Sequence, residues 1–166
     1  MAILARINPF VFLKQRKIVK ISDYLDERLI AFIDAPARNV AIDALIDLLE
    51  DAGKLPNKAA FRKAILDREE IVSTGIGMGV ALPHAKLKGF KQFYIVIGIQ
   101  QKKGLDWNAI DKAPVRLIFL IVGPDDRQSE YLQILSRLTT AVKDPNLRKK
   151  LMCATSTHEV LGAFSD

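Results

Sequence analysis

Apolar positions along this chain switch between two periods. Val40, Leu45, Leu48 and Leu49 recur at helical spacing, with Asn39 before them and Gly53 after. An amide side chain that caps the first turn and a glycine that closes the last predict a helix between them. Phe61, Ala64 and Ile65 repeat the pattern behind Asn57. Ser129 starts a third helix that runs to about Val142, and Pro145 opens a fourth. Thr157 caps a last helix, with Glu159 in the first turn where the helix dipole favours an acid. Ser22 reads as the cap of a short helix through Tyr24 and Leu25. Between these lie Leu29 to Ile33, Phe93 to Ile99 and Val115 to Val122, rich in aliphatic and β-branched residues and read as strands. Pro36 follows the first, and Gly123-Pro124-Asp125-Asp126 after the last is a turn. Helices and strands alternate, with helices first and last. That order predicts an α/β sandwich around a mixed β-sheet.

Composition narrows this picture. The chain has 166 residues, and no low-complexity linker or repeat divides it; the reading is one domain over residues 21–166 behind a basic N-terminal arm at 1–20. The formal net charge of +6 suggests a nucleic-acid partner until its distribution is examined. Arg6, Lys14, Arg16, Lys17 and Lys20 place +5 in the arm, leaving +1 for everything after it. No basic stripe with interleaved aromatics remains for nucleic acid. The longest apolar run, Leu117 to Val122, is far shorter than the ~18–20 residues of a membrane span. The arm lacks the long apolar core and small-residue cleavage site of a secretory signal. It reads as a terminal segment partly disordered or laid on the domain, with an anionic membrane surface or a partner as the alternative contact. Cys153 stands alone, which excludes an internal disulfide, fits a cytoplasmic setting, and reads as a small buried apolar residue in a helix. Two histidines and one cysteine, widely separated, offer no metal-ligand spacing, and no cofactor is implied.

The chemistry concentrates between Arg68 and Ala85. Gly75, Gly77 and Gly79 alternate, which predicts a flexible loop whose amides form a concave array of the kind that favours anions. The spacing is neither a dinucleotide fingerprint nor a phosphate-binding P-loop. Val80-Ala81-Leu82 is a short extended segment ended by Pro83, which forces Leu82 to stay extended. His84 is thereby presented at the end of a strand-like stretch beside the glycines. Imidazole suits reversible phosphoryl carriage, being largely neutral and nucleophilic near pH 7 and a good leaving group once phosphorylated. A lone surface or helix-capping histidine is the alternative, and that is the reading kept for His158.

The run Arg68, Glu69, Ser73, Thr74, Gly75, Ile76, Gly77, Gly79, Ala81, Pro83 and His84 resembles the signature of type-2 enzyme IIA domains of the bacterial phosphotransferase system. The likeness extends over about residues 20–163, taking in Phe61 to Arg68, Phe119 to Pro124, Leu132 and Leu135-Ser136, and is closest to the nitrogen-regulatory branch. It implies the mannitol/nitrogen-type enzyme IIA fold. It also implies phosphorylation of His84 on its ε nitrogen by the carrier HPr or an HPr paralogue, with Arg68 beside the phosphoryl group and Ser73, Thr74, Gly75, Gly77, Gly79 and Tyr131 as neighbours. One departure stands out. The family commonly carries a second histidine in the helix after the late strand, and that place falls on Tyr131, with Gln133 at the neighbouring position. Tyrosine can give one hydrogen bond to a phosphoryl oxygen but brings no charge. Met78 reads as part of an apolar docking rim, and Lys86 and Lys88 as a solvated face, with attraction of phosphate as the alternative. Three roles follow: a regulatory carrier, favoured by the nitrogen-type likeness and by the lack of a fused transport domain; a fructose/mannitol-type carrier that feeds a permease IIB domain; or an interaction module that is no longer phosphorylated.

Overall fold

The computed structural model describes residues 18–165; the expected basic arm lies, as far as residue 17, outside the described residues. Two short 3-10 turns, Ile21–Tyr24 and Glu27–Leu29, lead into β1 (Ile30–Ile33). There follow α1 (Arg38–Asp51), α2 (Lys58–Ile71), β2 (Gly75–Gly77), β3 (Val80–Ala81), β4 (His84–Lys86), β5 (Tyr94–Gln100) and β6 (Leu117–Gly123). The chain closes with α3 (Gln128–Lys143), α4 (Pro145–Cys153) and α5 (Thr157–Gly162). The expected mixed sheet is present. β1 runs parallel to β5, and β5 antiparallel to β6. The far edge of β6 takes both β3 and β4 in parallel, and β2 folds back antiparallel on β3.

Period-two alternation along β5 and β6 sorts their side chains into two cores. Val96, Ile118, Leu120 and Val122 pack with Ile42, Leu45, Leu49, Phe61 and Ile65 of α1 and α2. Ile95, Ile97, Leu117, Phe119 and Ile121 pack with Ile134, Leu138, Leu151 and Val160 of α3, α4 and α5. The segment from Val80 to Lys86 obeys the same rule. Ala81 and Ala85 fall in the first core, whereas Val80 and Leu82 fall in the second. His84 and Lys86 therefore face α3.

Pro83 does not end this segment. Val80 and Ala81 pair with Leu117 and Ile118, and His84, Ala85 and Lys86 pair with Ile121, Val122 and Gly123, an unchanged register on both sides of the proline. Proline lacks an N–H and so drops a donor from the ladder, but its carbonyl still accepts from Ile121 N at 2.9 Å.

Helix starts differ from expectation by a residue or two. Asn57 caps α2 as expected, its Oδ1 accepting from Ala60 N at 2.9 Å. Ser22 and Asn39 instead lie inside their elements, behind Lys20 and Ala37, and Ser129 lies inside α3, which begins after Arg127. Ser156 rather than Thr157 caps α5. Asp144 caps α4, with Pro145 in its first position. Gly53 sits just past α1 with φ +65°, where an L side chain is strained. Cys153 is exposed at the end of α4 rather than buried.

Candidate functional site

The three glycines do not form a flexible loop. β2 and β3 make a tight hairpin with a bulge between Gly75 and Gly77, turning at Met78 and Gly79, whose φ values are 60° and 74°. Its concavity already holds an anion from the chain itself. Asp111 accepts from Met78 N and Ala113 N, each at 2.9 Å, and these amides hold its carboxyl below the usual carboxylate range. A side chain at Gly77 would meet Asp111 Oδ2 at 3.0 Å, and one at Gly75 would meet Ala109 Cβ at 2.8 Å. Close packing against the loop after β5 accounts for Gly75, and a φ of +90° together with the approach of Asp111 accounts for Gly77.

Ser73 and Thr74 tie α2 to this hairpin. Ser73 Oγ donates to the Trp107 carbonyl at 2.6 Å. Thr74 is clamped by the buried carboxylate of Glu69, which accepts from Thr74 N at 2.9 Å and from Thr74 Oγ1. Trp107 Nε1 donates to the same hydroxyl at 3.2 Å, and Arg38 stands 3.9 Å from the carboxylate. The Thr74 carbonyl in turn accepts from Leu82 N at 3.0 Å. Leu82 then reaches the histidine, with its carbonyl oxygen 2.7 Å from His84 Nδ1. A carbonyl can only accept, so Nδ1 carries the hydrogen and neutral His84 presents an unprotonated Nε2.

His84 is half-buried at the first residue of β4. Burial is the main force pushing its imidazole below the ordinary histidine value, opposed by the Leu82 hydrogen bond. Arg68 and Lys86 push it further down, and Glu69 pulls it up. Arg68 reaches this field from the last turn of α2, with Nη1 donating to the Val72 carbonyl at 2.9 Å. Glu69 and Glu70 are approached by Arg38 rather than by Arg68.

From α3 comes Tyr131, its ring centroid 5.8 Å from that of His84 and stacked on Phe93 at 6.0 Å. Burial raises its phenol pKa, so the ring stays neutral. Lys86 is not the free solvated cation expected: its Nζ lies 4.6 Å above the Tyr131 ring and donates to Gln128 Oε1. Lys88 is exposed, as is His158 in α5, far along the chain from this cluster. Among the described residues no group of three His, Cys, Asp or Glu side chains is placed to hold a metal ion, and no helix is long and apolar enough to cross a membrane. The roles of Asp111, Trp107 and Gln128 were missed from sequence, because each acts across a distance of 33 residues or more.

A neutral, oriented imidazole with one unprotonated nitrogen, in the field of the Arg68 and Lys86 cations, is suited to accept and release an anionic group. Residues 23–166 match the family model for the phosphoenolpyruvate-dependent sugar phosphotransferase system, EIIA 2. The chain belongs to this family. A fructose-specific EIIABC component of Bacillus subtilis is 35% identical over 144 residues, covering 86% of this chain but only 22% of the longer relative. A fructose-specific EIIA component of Haloferax volcanii is 33% identical, covering 90% of this chain and 97% of its own. Among solved structures, the nitrogen regulatory protein IIA-Ntr of Neisseria meningitidis superposes with a TM-score of 0.80 at 28% identity, over 87% of this chain and 99% of that one. The fold is also that of Escherichia coli IIA mannitol in its complex with phosphorylated IIB mannitol, at TM-score 0.71 and 22% identity over 85% of this chain and 96% of that one.

Proposed function

We propose that this protein is a phosphohistidine carrier that accepts a phosphoryl group on His84 Nε2 from HPr or an HPr-like protein and passes it on, working in the cytoplasm with its donor. The observation that carries this reading is the bond from Nδ1 to the Leu82 carbonyl, which leaves the Nε2 lone pair as the nucleophile. That pair attacks phosphorus, the P–N bond to the donor's imidazole breaks, and its electrons return to the donor nitrogen. The proton on Nδ1 stays with His84 through the step. Leu82 thereby favours the protonated phosphoimidazole, the form from which the group leaves most readily. The Arg68 guanidinium, always charged, balances the three phosphoryl oxygens. Ile71 and Val72 at the α2 end, Met78 in the hairpin and Ile110 in the loop after β5 are exposed apolar residues, suited to a docking rim for the donor.

The regulatory branch is our first reading, supported by the likeness to IIA-Ntr. The fructose-type branch, with a permease IIB domain as acceptor, is supported by the two fructose-specific relatives.

The test is incubation with phosphoenolpyruvate, enzyme I and HPr. Intact mass should rise by one acid-labile phosphoryl group, about 80 Da, and His84→Ala should take none. Adding a fructose-type IIB domain distinguishes the branches: retention of the group supports the regulatory one and discharge the transport one. Labelling that persists in His84→Ala overturns the proposal.

A further inference from the structure

We propose that Lys86 is a second cation, beside Arg68, for the group carried on His84, reaching the phosphoryl oxygens from the α3 face of the sheet. This rests on the reading of His84 as the acceptor. Three observations support it. The first is strand geometry. His84 and Lys86 are two residues apart in β4, in unbroken register with Ile121 and Gly123, so both side chains leave the sheet on the α3 face. The second is restraint. A lysine on an edge strand ordinarily spreads into solvent, but here the ammonium is seated over the Tyr131 ring and tied to Gln128, two residues of the same helix. A cation over an aromatic face is held by the ring quadrupole, and this particular ring lies beside the His84 imidazole.

The third is charge balance. The charged groups whose fields reach His84 are Arg68 and Glu69 from the end of α2 and Lys86 from β4, while the facing group of α3 is the neutral Tyr131 phenol. Glu69 is spent on Thr74 and lies buried. Among the described residues Lys86 makes no ion pair. Its charge is therefore positioned and uncompensated, the state in which an incoming dianion gains most from it. A small rotation of the flexible stem takes Nζ from the ring to a phosphoryl oxygen, and Tyr131 acts as the seat to which it returns.

The experiment compares wild type with Lys86→Met, which keeps the stem on Tyr131, and with Lys86→Arg. Each is phosphorylated in two ways, by the phosphoenolpyruvate, enzyme I and HPr mixture and by phosphoramidate, which needs no protein docking. Loss of one charge-assisted contact should slow Lys86→Met about 10–100-fold with both donors, and Lys86→Arg should stay within about threefold of wild type. In Lys86→Met the phosphoryl pKa, followed by 31P NMR, should rise, because a nearby cation favours the dianion; a purely structural lysine would not move it. Equal rates and equal 31P titrations overturn the proposal. Slowing with the protein donor alone also overturns it, since Lys86 would then serve docking. Wild type that takes no phosphoryl group from either donor overturns the reading of His84 itself, and this inference with it.

Discussion

His84 is oriented by a carbonyl where many catalytic histidines use a carboxylate, and the choice has consequences for its titration. A carboxylate raises the imidazole pKa, whereas here burial dominates and lowers it. The folded protein therefore resists protonation that the unfolded chain accepts from about pH 6.5 downward. Where the unfolded state binds more protons, stability rises with pH, so this contribution is present above about pH 6.5 and fades on acidification. The unprotonated Nε2 persists over the same range. Phosphoryl acceptance should stay flat from about pH 8 to about pH 6.5 and reach its half-point below that. A 15N NMR titration of His84 alongside the rate would check this; a midpoint at or above the ordinary histidine value contradicts it. At this scale the placing of His84 on an extended segment beside the glycines could be read from the sequence, because Pro83 and the glycine run adjoin it in the chain. The part played by Glu69 could not, although its position belongs to the family signature, because its partners Thr74 and Arg38 show only when α2, the hairpin and α1 meet. The contacts of Lys86 escaped the sequence for a similar reason: its partners on α3, Gln128 and Tyr131, lie 42 residues or more along the chain.

Elements were legible by period and blurred at their ends. β5 and β6 announced themselves by dense aliphatic runs, and burial on both faces follows from helices covering each side of the sheet. Cap assignments slipped where two candidate residues stood together, as at Ser156-Thr157, where the first hydroxyl takes Glu159 N. The glycine hairpin was read as mobile because its restraints, Asp111 and Ala109, arrive from a distant loop. Another glycine is as tightly placed. Gly123 closes β6 against the ring of Phe93, and an added Cβ would sit 2.1 Å from Phe93 Cδ1. Phe93 stacks on Tyr131, so the strain would pass into the site. Gly123→Ala should lower unfolding free energy by about 1–3 kcal/mol, the usual cost of overpacking, and shift the Tyr131 ring signals. Urea unfolding with aromatic NMR measures both, and unchanged stability would mean that Phe93 yields freely.

For the whole molecule, the α/β architecture and the mixed sheet were foreseeable from the alternation of periods, but the strand order was not. β3 and β4 share one edge of β6 with a proline between them, an arrangement that hydrophobicity alone does not encode. That continuous seam bears on how a charged His84 would be noticed elsewhere. A histidine laced into a sheet edge has no hinge to swing, so on the proposed function the modification leaves the framework as it was. Hydrogen exchange along β3 to β6 should match between phosphorylated and unmodified protein, with differences confined to side chains around Arg68, Lys86 and Tyr131; altered protection deep in β5 would contradict this. The message handed to a partner is then a fall in local positive charge on an unmoved backbone. A partner would read it through potential and a few side chains, not through a change of framework.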